Sequence, residues 1–250
     1  MVYPRDSNMK GNRILNAMSN VDLALLQPHL EKVPLKFRQC LQSSHRSIKN
    51  VYFPECGIAS VVAIGGGRRQ AEVALVGHEG MTGLPVVHGT DRSPCDIFME
   101  VEGYGHCVPS QKLRDAIDQS NTLLRCLLRY AHAFSIQVNH TALANARGSV
   151  GERLARWLLM ARDRIGTDEM ILTHELLALV LAVRRVGVSK ALRAFEKGRL
   201  VETARGSVTI IDREGLEECA NGLYGTPEAE YERLFGCAEK GDACAAVSTR

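Results

Sequence analysis

Seven Lys or Arg residues fall between Val183 and Arg205, against two acidic ones. So local a concentration of positive charge fits a polyanion, because each cation that neutralises a phosphate releases a condensed counterion. The stretch Arg184 to Lys197 reads as a helix, with Gly198 to stop it. Projected at about 100° per residue, Val188, Ala191, Leu192 and Phe195 share one narrow arc, which has to be the buried side. Val186, Lys190, Arg193 and Lys197 fall opposite, Ser189 lies at the edge, and Arg184 and Arg185 sit at the leading end. A helix with such an outward face fits the major groove of duplex DNA, where Arg and Lys reach guanine acceptors.

The flanking residues supply what would position that helix. Thr173 is placed to cap a first short helix, whose Leu177, Val180 and Leu181 face inward, and Ala182-Val183 form a tight turn. Leu200–Thr203 and Ser207–Ile211 are expected to pair around Ala204-Arg205-Gly206 as a wing, with Arg205 at its tip beside phosphates. Helix-turn-helix spacing, an outward basic face and a following wing coincide on one segment. The candidate DNA-contacting residues are therefore Thr173, Arg184, Arg185, Val186, Ser189, Lys190, Arg193 and Arg205.

Other chemistries find little support. The eight cysteines, Cys40, Cys56, Cys95, Cys107, Cys126, Cys219, Cys237 and Cys244, include no Cys-x-x-Cys pair, so neither a zinc nor an iron-sulfur site is expected. No Gly-rich phosphate loop, His-Glu-x-x-His or Gly-x-Ser-x-Gly motif occurs, and the eight histidines are dispersed. Neither an enzyme nor a bound cofactor is expected. No apolar run is long enough to span a membrane, and the first residues lack a signal-peptide core, which makes the cytoplasm the expected location.

The net charge of +3 hides an asymmetry. Residues 147–213 hold 13 basic and 8 acidic side chains, whereas 214–250 hold 3 and 8. A loose arm is expected over residues 1–18, with Ser19 capping a short helix that carries Leu23, Leu26 and Leu30. From Ile48 to Val108, short apolar runs alternate with turn residues. Ile58–Ile64 and Ala71–Val76 flank Gly65-Gly66-Gly67 as a hairpin would. Several such strands in succession suggest a small barrel, roll or jelly roll. Beyond Pro109 the pattern turns helical. Ser110 is placed to cap Gln111–Gln119, and Ser120 or Asn121 to cap a helix reaching Ala146. In that long helix Leu124, Leu127, Ala131, Phe134, Val138, Thr141 and Asn145 recur at alternating steps of three and four, the seam spacing of a coiled coil. This stripe is the expected two-fold seam of a homodimer. An amphipathic helix over Val150–Ile165 follows, with Leu154, Trp157, Leu158 and Ala161 on one face.

In this order the elements resemble the Crp/Fnr family of regulators, over about residues 12–236. The likeness is carried by Val51-Tyr52-Phe53-Pro54-Glu55-Cys56-Gly57, by Glu72-Val73-Ala74-Leu75-Val76-Gly77-His78-Glu79-Gly80-Met81-Thr82-Gly83-Leu84-Pro85, and by Arg153-Leu154-Ala155-Arg156-Trp157-Leu158 before the helix-turn-helix. The resemblance implies an α+β chain: an N-terminal double-stranded, cyclic-nucleotide-binding-like β-roll over 12–120, a dimerisation helix over 121–146, a winged helix-turn-helix domain over 147–236 and a tail over 237–250. It also implies double-stranded DNA, a second copy of the chain and RNA polymerase as partners, with an unidentified small-molecule effector acting through the β-roll.

The family's base-reading positions carry onto Arg185, Val186 and Lys190. Val186 stands where well-known members have a glutamate that accepts from cytosine, so a different operator is expected. Ala182 stands where many members have glycine. The candidate effector pocket is Gly80, Met81, Gly83, Arg92 and Ser93. There the family's nucleotide binders place a glutamate after the glycine, to hold the ribose, and this chain has Met81. Arg92-Ser93 matches the phosphate-holding pair, so half a nucleotide site remains and cyclic-nucleotide binding is not expected. A different-class alternative is a ligand-sensing dimeric module that has ceased to bind DNA. Retention of Arg185, Lys190 and Arg193 speaks against it. The effector, the promoters and the sign of regulation depend on pocket shape and operator position.

Overall fold

The computed structural model describes residues 11–67 and 69–236. The start of the expected arm, the tail over 237–250, Cys237 and Cys244 lie outside the described residues. Two short helices come first, α1 (Arg13–Asn16) and α2 (Asn20–Leu26), and Ser19 caps α2 as expected, its Oγ accepting from the Asp22 N–H. The strands β1 (Glu31–Leu35), β2 (Cys40–Gln42), β3 (Asn50–Ile64) and β4 (Gln70–Val76) follow, then one turn of helix, α3 (Leu84–Val87), and β5 (Cys95–Pro109). They form one antiparallel sheet in the order β1-β5-β3-β4, with β2 also paired to β5. β3 and β5 are long enough, at 15 residues each, to serve both layers of a roll. Their register shifts between Pro54 and Ala59, where the strand bends. Gly57 makes the bend, with φ 89°, and a Cβ there would lie 2.6 Å from the Val101 carbonyl oxygen.

Helix α4 (Ser110–Gln119) leads into α5 (Asn121–Arg147). Ser110 is not the cap its sequence position suggests. It is the first helical residue, and its Oγ donates to the Ile48 carbonyl at 2.7 Å, so the hydroxyl ties the helix to the sheet instead. Ser120 does cap α5, accepting from the Leu123 N–H. α6 (Val150–Ile165) begins with a reciprocal capping box between Ser149 and Glu152. The remaining elements are β6 (Glu169–Met170), α7 (His174–Val180), α8 (Arg185–Lys197), β7 (Val201–Ala204), β8 (Ser207–Ile210), α9 (Arg213–Cys219) and α10 (Thr226–Phe235).

Three apolar clusters hold these parts together. Leu35, Leu41, Ala59, Val61, Ala74, Val76, Ile97 and Met99 fill the roll. A second cluster joins α1 to α5 with Phe53, Val108 and, from α10, Tyr231 and Phe235. A third packs Ile58, Leu75 and Val101 of the sheet against Leu154, Trp157 and Leu158 of α6 and the core of the C-terminal helices. α6 thus rests on the sheet, and its Trp157 Nε1 donates to Glu72 Oε1 at 2.7 Å. Strand β4 is an edge, and Gln137 of α5 covers part of it: its Oε1 accepts from the Leu75 N–H and its Nε2 donates to the Leu75 carbonyl. α10 lies against α5, where Glu230 meets His132 and the Arg129 guanidinium sits over the Phe235 ring.

Candidate nucleic-acid interface

The reading element begins at Thr173, whose Oγ1 accepts from the Leu176 N–H at 3.1 Å and starts α7. The helix ends at Leu181, and Ala182 takes φ 50°, a left-handed turn that glycine would adopt with less strain. The N–H groups of Ala182 and Val183 return to the carbonyls of Leu179 and Ala178 and close the turn. α8 then starts at Arg185, one residue later than the sequence pattern suggests, with Arg184 as an N-cap that makes no side-chain capping bond. Val188, Leu192 and Phe195 are buried and Ala191 partly so, all packing with α6 and α7. Arg185, Lys190, Arg193 and Lys197 are exposed, and Val186 is 78% exposed.

Two of the outward groups have neighbours on α7. Arg185 Nη1 lies 2.8 Å from Glu175 Oε1, and Ser189 Oγ lies 3.0 Å from His174 Nδ1. The Arg185–Glu175 pair is exposed on both sides, so solvent weakens it and a stronger anion can displace it. Behind α8, β7 and β8 pair from Val201↔Ile210 to Ala204↔Ser207, and β6 adds a third strand. Arg205 sits exposed in the connecting turn, which Gly206 closes with φ 83°.

Part of the basic charge counted in this segment never reaches solvent. Arg156 and Arg164 are buried. Arg156 donates to the Leu223 carbonyl and to Thr141 Oγ1, and Arg164 Nε lies 2.8 Å from Glu79 Oε1. Arg153 donates to the Leu181 carbonyl at the end of α7. These three arginines hold α6 to the turn after β4, to α5 and to the end of α7. Their spacing along the apolar face of α6 was the available signal, since a charge on a buried face has to be paired.

Residues 152–219 match the family model for the Crp-like helix-turn-helix domain. Among solved structures the chain is similar to a CRP-family transcriptional regulator from Thermus thermophilus, at 18% identity and a TM-score of 0.64, over 77% of this chain and 97% of that one. It is also similar to FixK2 from Bradyrhizobium japonicum, at 14% identity and a TM-score of 0.65, over 79% and 98%. A third is the c-di-GMP responsive global regulator CLP of Xanthomonas campestris, at 13% identity and a TM-score of 0.62, over 83% and 100%. Among curated protein sequences none matches significantly.

The chain has the Crp/Fnr regulator fold and carries a Crp-like helix-turn-helix domain. That domain runs from α6 to the end of α9, so it takes in the arginines that anchor it as well as α7, α8 and the wing.

The five positions of the candidate effector pocket lie in the roll of this Crp/Fnr fold, between β4 and β5. Gly80, Met81 and Gly83 lie in the turn after β4, and Arg92 and Ser93 in the segment leading to β5. Met81 packs in the apolar core, and a Cβ on Gly80 or Gly83 would strike Tyr130 or Val51. Arg92 is exposed and faces Asp91 at 3.5 Å, while the Ser93 Oγ is occupied by the Cys95 N–H. Met81 and Tyr130 fill space between the roll and α5. A cavity of about 170 Å³ lies beside them, lined in part by His78, Glu79, Tyr130, Arg164 and Tyr231. Among the described residues no group of three His, Cys, Asp or Glu is placed to hold a metal ion.

The expected seam of α5 is only partly at the surface. Leu127 is 0% exposed and Ala131 is buried, both within this chain. Phe134 and Val138 pack on the roll, Leu124 borders the helical cluster, and the Thr141 Oγ1 is taken up by the Gln137 carbonyl and Arg156. Leu128, at 43%, and Leu143 are the large apolar side chains of α5 that stand exposed. The projection found the apolar stripe, but the roll covers one flank of it and turns the other outward.

Proposed function

We propose that this chain is a DNA-binding transcription regulator that acts as a homodimer on an inverted-repeat operator. The observation that carries the reading is the division of α8: Val188, Leu192 and Phe195 are spent on the Crp-like domain, and Arg185, Val186, Lys190 and Arg193 are left outward. In the complex α8 lies in the major groove, Arg185 and Lys190 reach base edges, and Val186 meets a thymine methyl. Thr173, Arg184, Ser189 and Arg205 lie at the margins of the same face, where they meet phosphates. The dimer forms along the outward flank of α5, where Leu128, Ser135, Ala142 and Asn145 stand exposed and Leu124 and Val138 lie half-buried beside them, all at steps of three, four or seven. This seam keeps Leu124, Val138 and Asn145 of the sequence-derived stripe. It leaves out Leu127, Ala131, Phe134 and Thr141, which the fold consumes, and its small residues allow close approach. RNA polymerase and a small-molecule effector complete the proposed set of partners, in the cytoplasm. No helix among the described residues is long and apolar enough to cross a membrane.

The deciding experiment is selected-sequence binding on the wild type, Arg185→Ala and Arg205→Ala. The wild type is expected to select an inverted repeat with half-site centres about one helical turn apart. Arg185→Ala should lose about 1–3 kcal/mol on that site and relax one base pair per half-site. Arg205→Ala should weaken all sequences alike and lower the salt slope by about one per subunit. Failure to select any duplex sequence would favour the sensing module without DNA binding, and unchanged selectivity in Arg185→Ala would remove this docking geometry.

A further inference from the structure

Strand β5 turns alternate side chains toward the helix-turn-helix. Asp96, Phe98, Glu100 and Glu102 share that face, and α7 stands across from it. Between them lies a cleft of about 1050 Å³, with Phe37, Phe98, Ile171 and Leu179 among its apolar walls. Phe37 is 51% exposed, and Ile171 and Leu179 are exposed to a similar degree, although all three belong to facing elements of one chain. The space is large enough for a small organic molecule and has the mixed lining of such sites.

The polar lining is strongly one-sided. Four carboxylates, Asp96, Glu100, Glu102 and Glu175, face one cation, Arg38. Glu100 is the unusual member: it is only 6% exposed, and no hydrogen bond or ion pair among the described residues reaches its carboxyl group. Burial pushes that carboxyl up to about 7, with the Arg38 charge pulling the other way. Nearby Glu72, equally buried, accepts from Ser60 and Trp157, so the same layer satisfies one acid and leaves the other open. A carboxyl group nearly enclosed by the fold, open to the cleft and without a donor of its own, is a half-made interaction beside aromatic walls.

We propose that the cleft between β5 and α7 binds an amphipathic organic cation, an amine or amidine on an aromatic body, with its charged head on Glu100 and its ring between Phe37 and Phe98. The cation supplies the donors that Glu100 lacks, and the ring covers the exposed apolar walls. An organic anion is disfavoured by the four carboxylates. The site is separate from the Gly80–Ser93 positions, and its existence does not depend on whether α8 binds DNA. Glu175, on its rim, is also the partner of Arg185, so an occupant would touch the start of the reading helix.

The test is calorimetric titration of the full chain at neutral pH with phenethylamine, 2-naphthylethylamine and benzamidine, against 2-naphthylacetate as the anionic counterpart. At least one amine or amidine is expected to bind with a sub-millimolar dissociation constant, and 2-naphthylacetate is not. Glu100→Gln should weaken that binding about tenfold or more, as loss of a buried charge-assisted contact does. Leu179→Trp, at an exposed wall position, should block the cleft while the fold, checked by its melting transition, is kept. Binding of amine and carboxylate alike would overturn the proposal. So would unchanged affinity in either folded variant, or no binding of any of the three cations.

Discussion

Helices α5 and α8 carry amphipathic patterns of similar clarity, and the tertiary structure uses them differently. α8 is packed on one side only, so the arc of Val188, Leu192 and Phe195 is its whole buried face and the basic residues opposite are free. α5 is packed by the roll on one flank and by α10 on another, and a third flank is left open. A single stripe of apolar residues describes the first situation well. In the second it merges two faces, one internal and one outward, that differ by a single step along the helix.

Adjacent leucines separate the two faces of α5 most sharply. Leu127→Ala should destabilise the chain by about 2–5 kcal/mol, at any protein concentration, because it opens a cavity in a packed core. Leu128→Glu should leave the melting transition of the monomer within about 1 kcal/mol and convert dimers into monomers at micromolar concentration. Sedimentation and thermal denaturation read the two effects apart. If Leu128→Glu stays dimeric while Leu127→Ala only dissociates, the two faces have been assigned the wrong way round.

A second measurement probes the seat on which α6 rests. Burial pushes the Glu72 carboxyl up to about 8, against the hydrogen bonds from Ser60 and Trp157; the Glu100 charge adds to the rise and Arg164 opposes it. A raised carboxyl favours the folded state while it is protonated. That stability is fully present below the unfolded value near 4.5 and is lost as pH rises through about 8. Glu72→Gln keeps an acceptor for Trp157 and cannot ionise. The variant should match the wild type at pH 4 and exceed it by about 1–3 kcal/mol at pH 9, after local relaxation. Parallel urea titrations across that range check this, and a difference that does not change with pH would show that Glu72 does not titrate in this window.

The smallest effect belongs to the exposed side of the comparison. Thr173→Ala removes one cap from α7 and should cost about 1 kcal/mol, seen as a modest fall in the melting temperature. A loss several times larger would mean that Thr173 supports the cleft as well as the helix.

The elements themselves were legible wherever their signals are local. Ser19, Ser120 and Thr173 cap as their positions suggest, the triple glycine lies between β3 and β4, and the wing pairs around Arg205. Ser110 misled because a hydroxyl before a helix can serve a distant carbonyl as well as its own turn, and Ile48 is brought to it only by the sheet. The arginines of α6 misled for a similar reason. Counted along the chain they are part of a basic segment, but Glu79, Thr141, Leu181 and Leu223 take up their donors.

By itself the sequence determined the helices from α4 to α8, the run of short strands and the outward chemistry of α8, because periodicity and capping act over a few residues and α8 has one packed side. α1, α9 and α10 came only with the fold, and residues 13–16 are a packed helix instead of part of a loose arm. Only the tertiary structure decided which flank of α5 is turned outward, that Met81 beside Gly80 packs in the apolar core, and that Glu100 meets the cleft without a donor. Each of these depends on which distant segment lies opposite: β4 against Gln137, Tyr130 against Gly80, α7 against β5. Contacts of that kind set burial and partners, and nothing in the spacing of neighbouring residues specifies them.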